Sequence, residues 1–368
     1  MFWPKTEIWT AEVVYTGFGT PMRKGGVAVQ GAHVVAQGSL EELQARFSEA
    51  EVIRKGKALL PPPANAHTHL DLSLLPRYRG PFQGFIPHVM AHRERRGIEG
   101  AKEGLRRLAE SGAGAFGDIV FKDEVMDFLL SESPLPGVAY YEVFSPDPRE
   151  AEEVYTQVKA KILGWKRREG QVRVGLSPHA PYSVSPPLLA RLAAFAKAEG
   201  IPLMIHAAES PDEVEFFLKG TGFFRAFFDR MGLTWEAPGL TPIRHLHRLG
   251  VLGPGTTLVH GVQVDEEEVA LLAETGTRLV LCPRSNEGLE VGLPPLELYA
   301  RYGLEFGLGT DSLASSPDLD VKNEALALWD RLDPRLLVRA LARGGYRALG
   351  LPTPRITRGS GKALVHFI

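Results

Sequence analysis

This sequence predicts an α/β fold: a parallel (β/α)8 barrel of the TIM type carrying a small accessory β-sandwich. Three observations predict it. Eight apolar, strand-like runs follow one another between residues 64 and 312. Amphipathic helical segments separate several of them, the alternation that builds a parallel sheet with helical crossovers. The chain up to residue 58 instead carries short β-branched and aromatic stretches between glycines, the pattern of a separate small sheet. A chain of 368 residues has room for one such barrel and an accessory unit.

Taken in order, "IWTAEVVYTG", "GGVAVQGAHVVAQG" and "AEVIRKGKALL" read as the accessory strands, interrupted by a helical insert, "LEELQARF". The barrel strands are expected to end near 64–69, 114–120, 137–144, 172–179, 202–209, 256–263, 277–286 and 304–312. Between them, "AKEGLRRLAESG", "REAEEVYTQVKAKILGWKRREG" and "SPPLLARLAAFAKAEG" repeat leucine and alanine at spacings of three and four, and each ends at or near a glycine that can cap it. The tail "ITRGSGKALVHFI" reads as strands again and is expected to return to the N-terminal sheet. The expected division is residues 1–58 plus 355–368 for the sandwich and 59–354 for the barrel.

Composition bounds the function class. Hydrophobic content of 44% and charged content of 23% fit an ordinary globular protein. A net charge of -2 and a pI near 6.6 give no electrostatic reason to expect nucleic acid or an anionic membrane as partner. The single cysteine, Cys282, excludes an intrachain disulfide framework and suits a reducing compartment. The start "MFWPKTEIWTAEVVYTG" lacks the basic and apolar regions of a signal peptide, and no stretch approaches the roughly 20 apolar residues of a membrane helix. A cytoplasmic enzyme is the expectation.

Chemistry enters with "LLPPPANAHTHLDLS". On a strand, residues i and i+2 share a face, so His67 and His69 project side by side. Other polar residues uncommon in strand interiors stand at the ends of later runs: His179 on the fourth, His206 and Glu209 on the fifth, His260 on the sixth and Asp311 on the eighth. Strand ends converge on one mouth in a (β/α)8 barrel, and active sites are built there. Three imidazoles and one carboxylate suit a borderline-soft divalent ion such as zinc, with a further position for water. Each residue alone has a bland reading as a hydrogen-bonded core group, a rim group or a turn. Their recurrence at the same end of different strands is what tells against that reading.

These residues lie in "NAHTHLDLS", "SPHAPYSVS", "IHAAES", "LVHGVQV", "LCPRSN" and "LGTDSLASSPDLD". In this order they resemble the successive motifs of the amidohydrolase superfamily, from about residue 59 to 325. The branch they resemble holds the adenosine, S-adenosylhomocysteine and aminodeoxyfutalosine deaminases and the chlorohydrolase-like proteins, with the aminodeoxyfutalosine deaminases of the menaquinone pathway nearest. The resemblance implies metal ligands His67, His69, His206 and Asp311. It implies Glu209 as a proton-shuttling glutamate, His260 as the histidine that contacts the attacking water, and His179 as a substrate contact. Many relatives hold two metals bridged by a carboxylated lysine. The second, third and fourth runs offer Asp118, Glu142 and His179 at that level and no lysine, so a mononuclear centre is expected, with Glu142 as the one group that could support a second ion.

The implied cofactor is one divalent ion, zinc ahead of iron(II) or manganese(II). It would lower the pKa of a water toward about 7. Asp311 would take that water's proton, His260 would orient the hydroxide, and Glu209 would protonate a ring nitrogen beside the carbon under attack, with ammonia leaving. The expected partner is a modified adenosine with an extended 5′ group, and a homodimer is the expected assembly. S-Adenosylhomocysteine or methylthioadenosine deamination, another C–N or C–Cl hydrolysis of a heteroaromatic ring, and a non-catalytic barrel are the rival readings. Phe82 and Phe85, in a loop ahead of the helix "GFIPHVMAHRERRG", are expected to cover the purine, and Arg77 and Arg79 to bind a carboxylate of the substrate by paired hydrogen bonds. His88 and His92, at spacing i, i+4, lack the glutamate of an HExxH motif and are read as structural or substrate-contacting.

Overall fold

The computed structural model describes residues 5–368. The first strands are β1 (Thr6–Thr10), β2 (Val13–Val14), β3 (Gly25–Gln30), β4 (His33–Ser39), β5 (Glu51–Arg54) and β6 (Ala58–Leu60). The helix Leu40–Arg46 follows β4, its start fixed by a Ser39–Glu42 capping box. The barrel strands are β7 (Ala64–Thr68), β8 (Ala115–Val120), β9 (Gly137–Val143), β10 (Val172–Pro178), β11 (Leu203–Ala207), β12 (Thr256–His260), β13 (Arg278–Leu281) and β14 (Phe306–Leu308), and β15 (His366–Phe367) closes the chain.

Strands β7 to β14 form one parallel sheet in sequence order. Residues past the last strand complete the ring: the Asp311 amide donates to the His67 carbonyl at 3.1 Å, and Thr68 and Asp311 form a parallel bridge. Gly309 permits this seam. A Cβ there would stand 2.7 Å from His67 Cβ, closer than packed atoms approach. Nearly every barrel-strand residue is buried, because helices cover the outside and side chains fill the inside, which is why these strands read as continuous apolar runs. The helices carry their own stop signals. Pro186–Glu199 ends on Gly200 at φ 65°, and Glu266–Thr275 starts on an Asp265–Glu268 capping box and ends on Gly276 at φ 69°.

The remaining strands form two sheets, β4-β3-β1-β5 and β15-β6-β2, packed through Val14, Val27, Val29, Val34, Leu59, Ile356 and Val365. Both chain ends thus build one accessory unit. β6 straddles residue 58, so its sheet runs two residues past the expected boundary. The tail is mostly irregular; β15 pairs with β6, Gly361 forms an isolated antiparallel bridge with His33, and the Gly359 and Lys362 amides bond to the β3–β4 hairpin. Among the described residues no helix is long and apolar enough to cross a membrane.

Candidate metal centre

The polar residues picked out in the sequence stand at the C-terminal ends of the barrel strands. His67 is in β7 and His69 just beyond it; His179 follows β10; His206 is in β11, with Glu209 past its end; His260 closes β12; Asp311 follows β14. All are buried except His179, which is half-buried.

Their atoms converge. His206 Nε2 lies 3.3 Å from the Nε2 atoms of both His67 and His69, and Asp311 Oδ1 lies 3.7 Å and 3.6 Å from the same two nitrogens. Two imidazole lone pairs at that separation repel unless a cation or proton lies between them. Tetrahedral ligands held about 2.0–2.1 Å from an ion are themselves about 3.3–3.4 Å apart, so these edges match an ion-sized cage.

Protonation agrees with this. His206 Nδ1 donates to the His179 carbonyl at 2.9 Å and His260 Nδ1 to Asn286 Oδ1 at 2.8 Å, since neither acceptor can donate; both Nε2 lone pairs therefore face the centre. Burial lowers the pKa of His67, His69, His206 and His260, and takes His179 down to about 3. These are neutral imidazoles, the form that ligates a metal. Ser285 and Ser315 hydroxyls donate to Asp311 Oδ2 at 2.6 Å and 2.9 Å, which leaves Oδ1 for the histidines.

Glu209 Oε1 lies 3.5 Å from His260 Nε2. Burial, reinforced by the charge of Asp311, pushes the Glu209 carboxyl well above its ordinary range, which favours its protonated form. Three non-glycine residues here have left-handed backbones: Ala208 (φ 53°), His260 (φ 77°) and Asp311 (φ 60°). Such conformations store of order 1–3 kcal/mol each and collect at functional sites. At Ala208 the turn is held by the Val262 and Gln263 amides, both donating to its carbonyl at 2.8 Å.

The cavity over this cage is walled by Leu72, Phe82, Phe85, Ile86 and Tyr182, with His69, His179, His206, Glu209, His260, Asp311 and Ser312 at its floor. Phe82 and Phe85 therefore line this cavity, from the start of the helix Phe82–Ala91 rather than from a loop ahead of it. Arg77 and Arg79 do not line this cavity. Amides on either side, Tyr78 to the Ala314 carbonyl (2.8 Å) and Gly80 to the Gly288 carbonyl (3.0 Å), pin the loop to the rim with both arginines exposed. His88 and His92 bond to the Pro76 and His88 carbonyls at 2.7 Å and 2.9 Å, a local structural role.

Several residues escaped the sequence reading. Ser285, Asn286, Ser315 and Tyr182 lie inside the motif stretches quoted above, but spacing alone assigns them no role. Glu213 carries a signal: "SPDE" at 210–213 is a helix-start pattern, and Glu213 Oε2 accepts the Glu209 amide at 2.9 Å, fixing the backbone of the proposed acid.

Comparison with known proteins agrees with this geometry. Residues 59–360 match the model of the amidohydrolase family. The chain is 42% identical over 366 residues to aminodeoxyfutalosine deaminase of Deinococcus radiodurans, covering 95% of this chain and 87% of the relative. It is 30% identical over 351 residues to 5-methylthioadenosine/S-adenosylhomocysteine deaminase of Syntrophobacter fumaroxidans, covering 89% and 75%. Helicobacter pylori aminofutalosine deaminase in complex with methylthio-coformycin superposes with a TM-score of 0.76 at 23% identity, over 96% of this chain and 90% of that one. A zinc-bound adenosine deaminase from Xanthomonas campestris gives 0.68 at 25% identity, over 97% and 83%. Because the family pattern spans the barrel and its C-terminal mouth gathers the donor set expected of a divalent-metal hydrolase, the chain belongs to the amidohydrolase family.

Proposed function

We propose that this protein is a metal-dependent hydrolytic deaminase that replaces the 6-amino group of a 5′-extended adenine nucleoside by oxygen, with aminodeoxyfutalosine as its substrate. The observation that carries the reading is the pairing of a buried Glu209, whose carboxyl pKa is raised, with His260, 3.5 Å apart, beside the four-residue cage. A proton donor for the ring and an orienting imidazole for water thus flank one reaction centre. The 42% identical relative is named for this activity.

In this proposal His67, His69, His206 and Asp311 hold one divalent ion, zinc first. When bound, the ion supplies hydroxide at neutral pH by lowering the pKa of a water toward about 7. Glu209 gives its proton to the ring nitrogen next to the amine-bearing carbon, which opens that carbon to attack. Asp311 Oδ1 takes a proton from the attacking water, and His260 Nε2 holds that water by hydrogen bonding. The proton then passes to the departing amine, which leaves as ammonia while the ring recovers its conjugation. The same division among metal, water and a non-ligand glutamate serves nucleobase deaminases on an unrelated fold. His179 and the Phe82–Phe85 wall contact the nucleoside.

Deamination of methylthioadenosine or S-adenosylhomocysteine is the second reading, supported by the 30% identical relative. Ammonia release from aminodeoxyfutalosine, methylthioadenosine, S-adenosylhomocysteine, adenosine and the free bases separates the two. A higher kcat/KM for a free base than for every nucleoside refutes both.

A further inference from the structure

Beside the cage, a guanidinium stands among groups that could hold a second metal ion. Arg96 follows the short turn Arg93–Arg95, and its side chain is only 13% exposed. Its Nε lies 2.5 Å from Asp71 Oδ2, its Nη2 lies 3.1 Å from Glu142 Oε2, and its guanidinium carbon is 4.4 Å from the Phe121 ring centroid. Asp71 comes two residues after His69, while Glu142 is in β9. Both carboxylate side chains are buried, at 0% and 2% exposure.

Two further observations point to a cation position. Glu142 and His179 each bring one ligand atom within 4.8 Å of the other and of His206, whose own lone pair already faces the first cage. Asp71 Oδ1, although fully buried, has no hydrogen-bond partner among the described residues, so this carboxylate retains acceptor capacity that the arginine does not use. Around Asp71 and Glu142 the cation already present is the arginine.

We propose that Arg96 is the resident cation of a latent second metal position and, by claiming Asp71 and Glu142, restricts the centre to one ion. A guanidinium suits this role. It is planar, forks onto two carboxylates and does not lose its proton in a protein, so an incoming divalent ion cannot displace it by neutralising it. A lysine would hold the charge but not the fork.

The inference rests on the one-metal reading of the cage, and the experiment separates the two. Apo-protein prepared by chelation is titrated with Co2+, followed by visible absorption and by metal analysis after desalting. Wild type and R96K should saturate at one equivalent, R96A at two, and the double variant R96A/E142Q at one again. Millimolar guanidinium added to R96A should return it to one. A second equivalent on wild type, or a folded R96A (by circular dichroism) that saturates at one, overturns the proposal. If R96A does not fold, E142Q alone decides: Glu142 is no ligand of the resident ion, so its replacement leaves the single ion and its midpoint unchanged, and loss of that ion overturns the proposal. A wild type that takes up no Co2+ overturns the metal reading together with it.

Discussion

Replacing Glu209 by glutamine separates proton transfer from everything else this residue does. The amide has nearly the same volume, so the cavity beneath Phe82 and Tyr182 keeps its shape. The contact that fixes residue 209 is made by its backbone amide to Glu213 and survives the change. The carboxyl is not among the atoms of the ligand cage, so metal content should stay at the wild-type level. What disappears is a carboxyl whose pKa burial raises and that lies 3.5 Å from His260. General acid–base catalysis contributes about 10² to 10⁴-fold, and a loss of about 10³ in kcat corresponds to about 4 kcal/mol of barrier. The assay is ammonia release under saturating nucleoside, with metal analysis of the same preparation. Turnover within about threefold of wild type would refute the assignment, and so would a parallel loss of metal, which would make Glu209 a ligand.

Asn286→Ala removes the acceptor that fixes the His260 tautomer at 2.8 Å, and kcat should fall roughly 10 to 100-fold with metal content unchanged; a normal kcat counts against the orienting role of His260. Burial takes Glu213 from an ordinary value of 4.5 up to about 8. A raised folded pKa contributes stability below pH 4.5 that is lost as pH climbs through about 8, so wild type should weaken relative to Glu213→Gln across that window, by at most about 1.4 kcal/mol per pH unit. Parallel denaturation curves for the two proteins would remove that claim. Gly309→Ala places a methyl 2.7 Å from His67 Cβ and should destabilise the protein by about 1–3 kcal/mol while weakening metal retention; an unchanged Tm contradicts the seam described above.

The eight barrel strands could be read from the chain because strands buried on both faces leave continuous apolar runs, against which His67, His206 and His260 stand out. The seventh run shows where that reading stops. β13 ends at Leu281, and Pro283, which lacks an amide to donate, begins a helix through Gly288 that carries Ser285 and Asn286. The run expected over 277–286 thus merged a strand with a helix, hiding the two residues that hold Asp311 and His260. The placement of Arg77 and Arg79 outside the cavity is hidden for a different reason: a loop's side chains follow no period, and two amide hydrogen bonds to distant carbonyls decide which way they face. The Asp71–Arg96–Glu142 contacts join residues 25 and 46 apart, and no local pattern records such a pairing.

The seam of the barrel has a consequence for synthesis. Asn65 and Thr310, 245 residues apart, are joined by a buried hydrogen bond where the first strand meets the end of the eighth. The proposed ligands on either side of that seam cannot meet until nearly the whole chain has been made. At roughly 5–20 residues per second, the ribosome takes on the order of 10–50 s to pass from one to the other. Through that interval the nascent chain presents two and then three histidines of an incomplete proposed set, free to take a wrong ion weakly and release it again. Selection of the metal then falls to the moment of closure, which depends on long-range contacts and is correspondingly slow. Any partner that delivers the ion has to meet a nearly finished barrel.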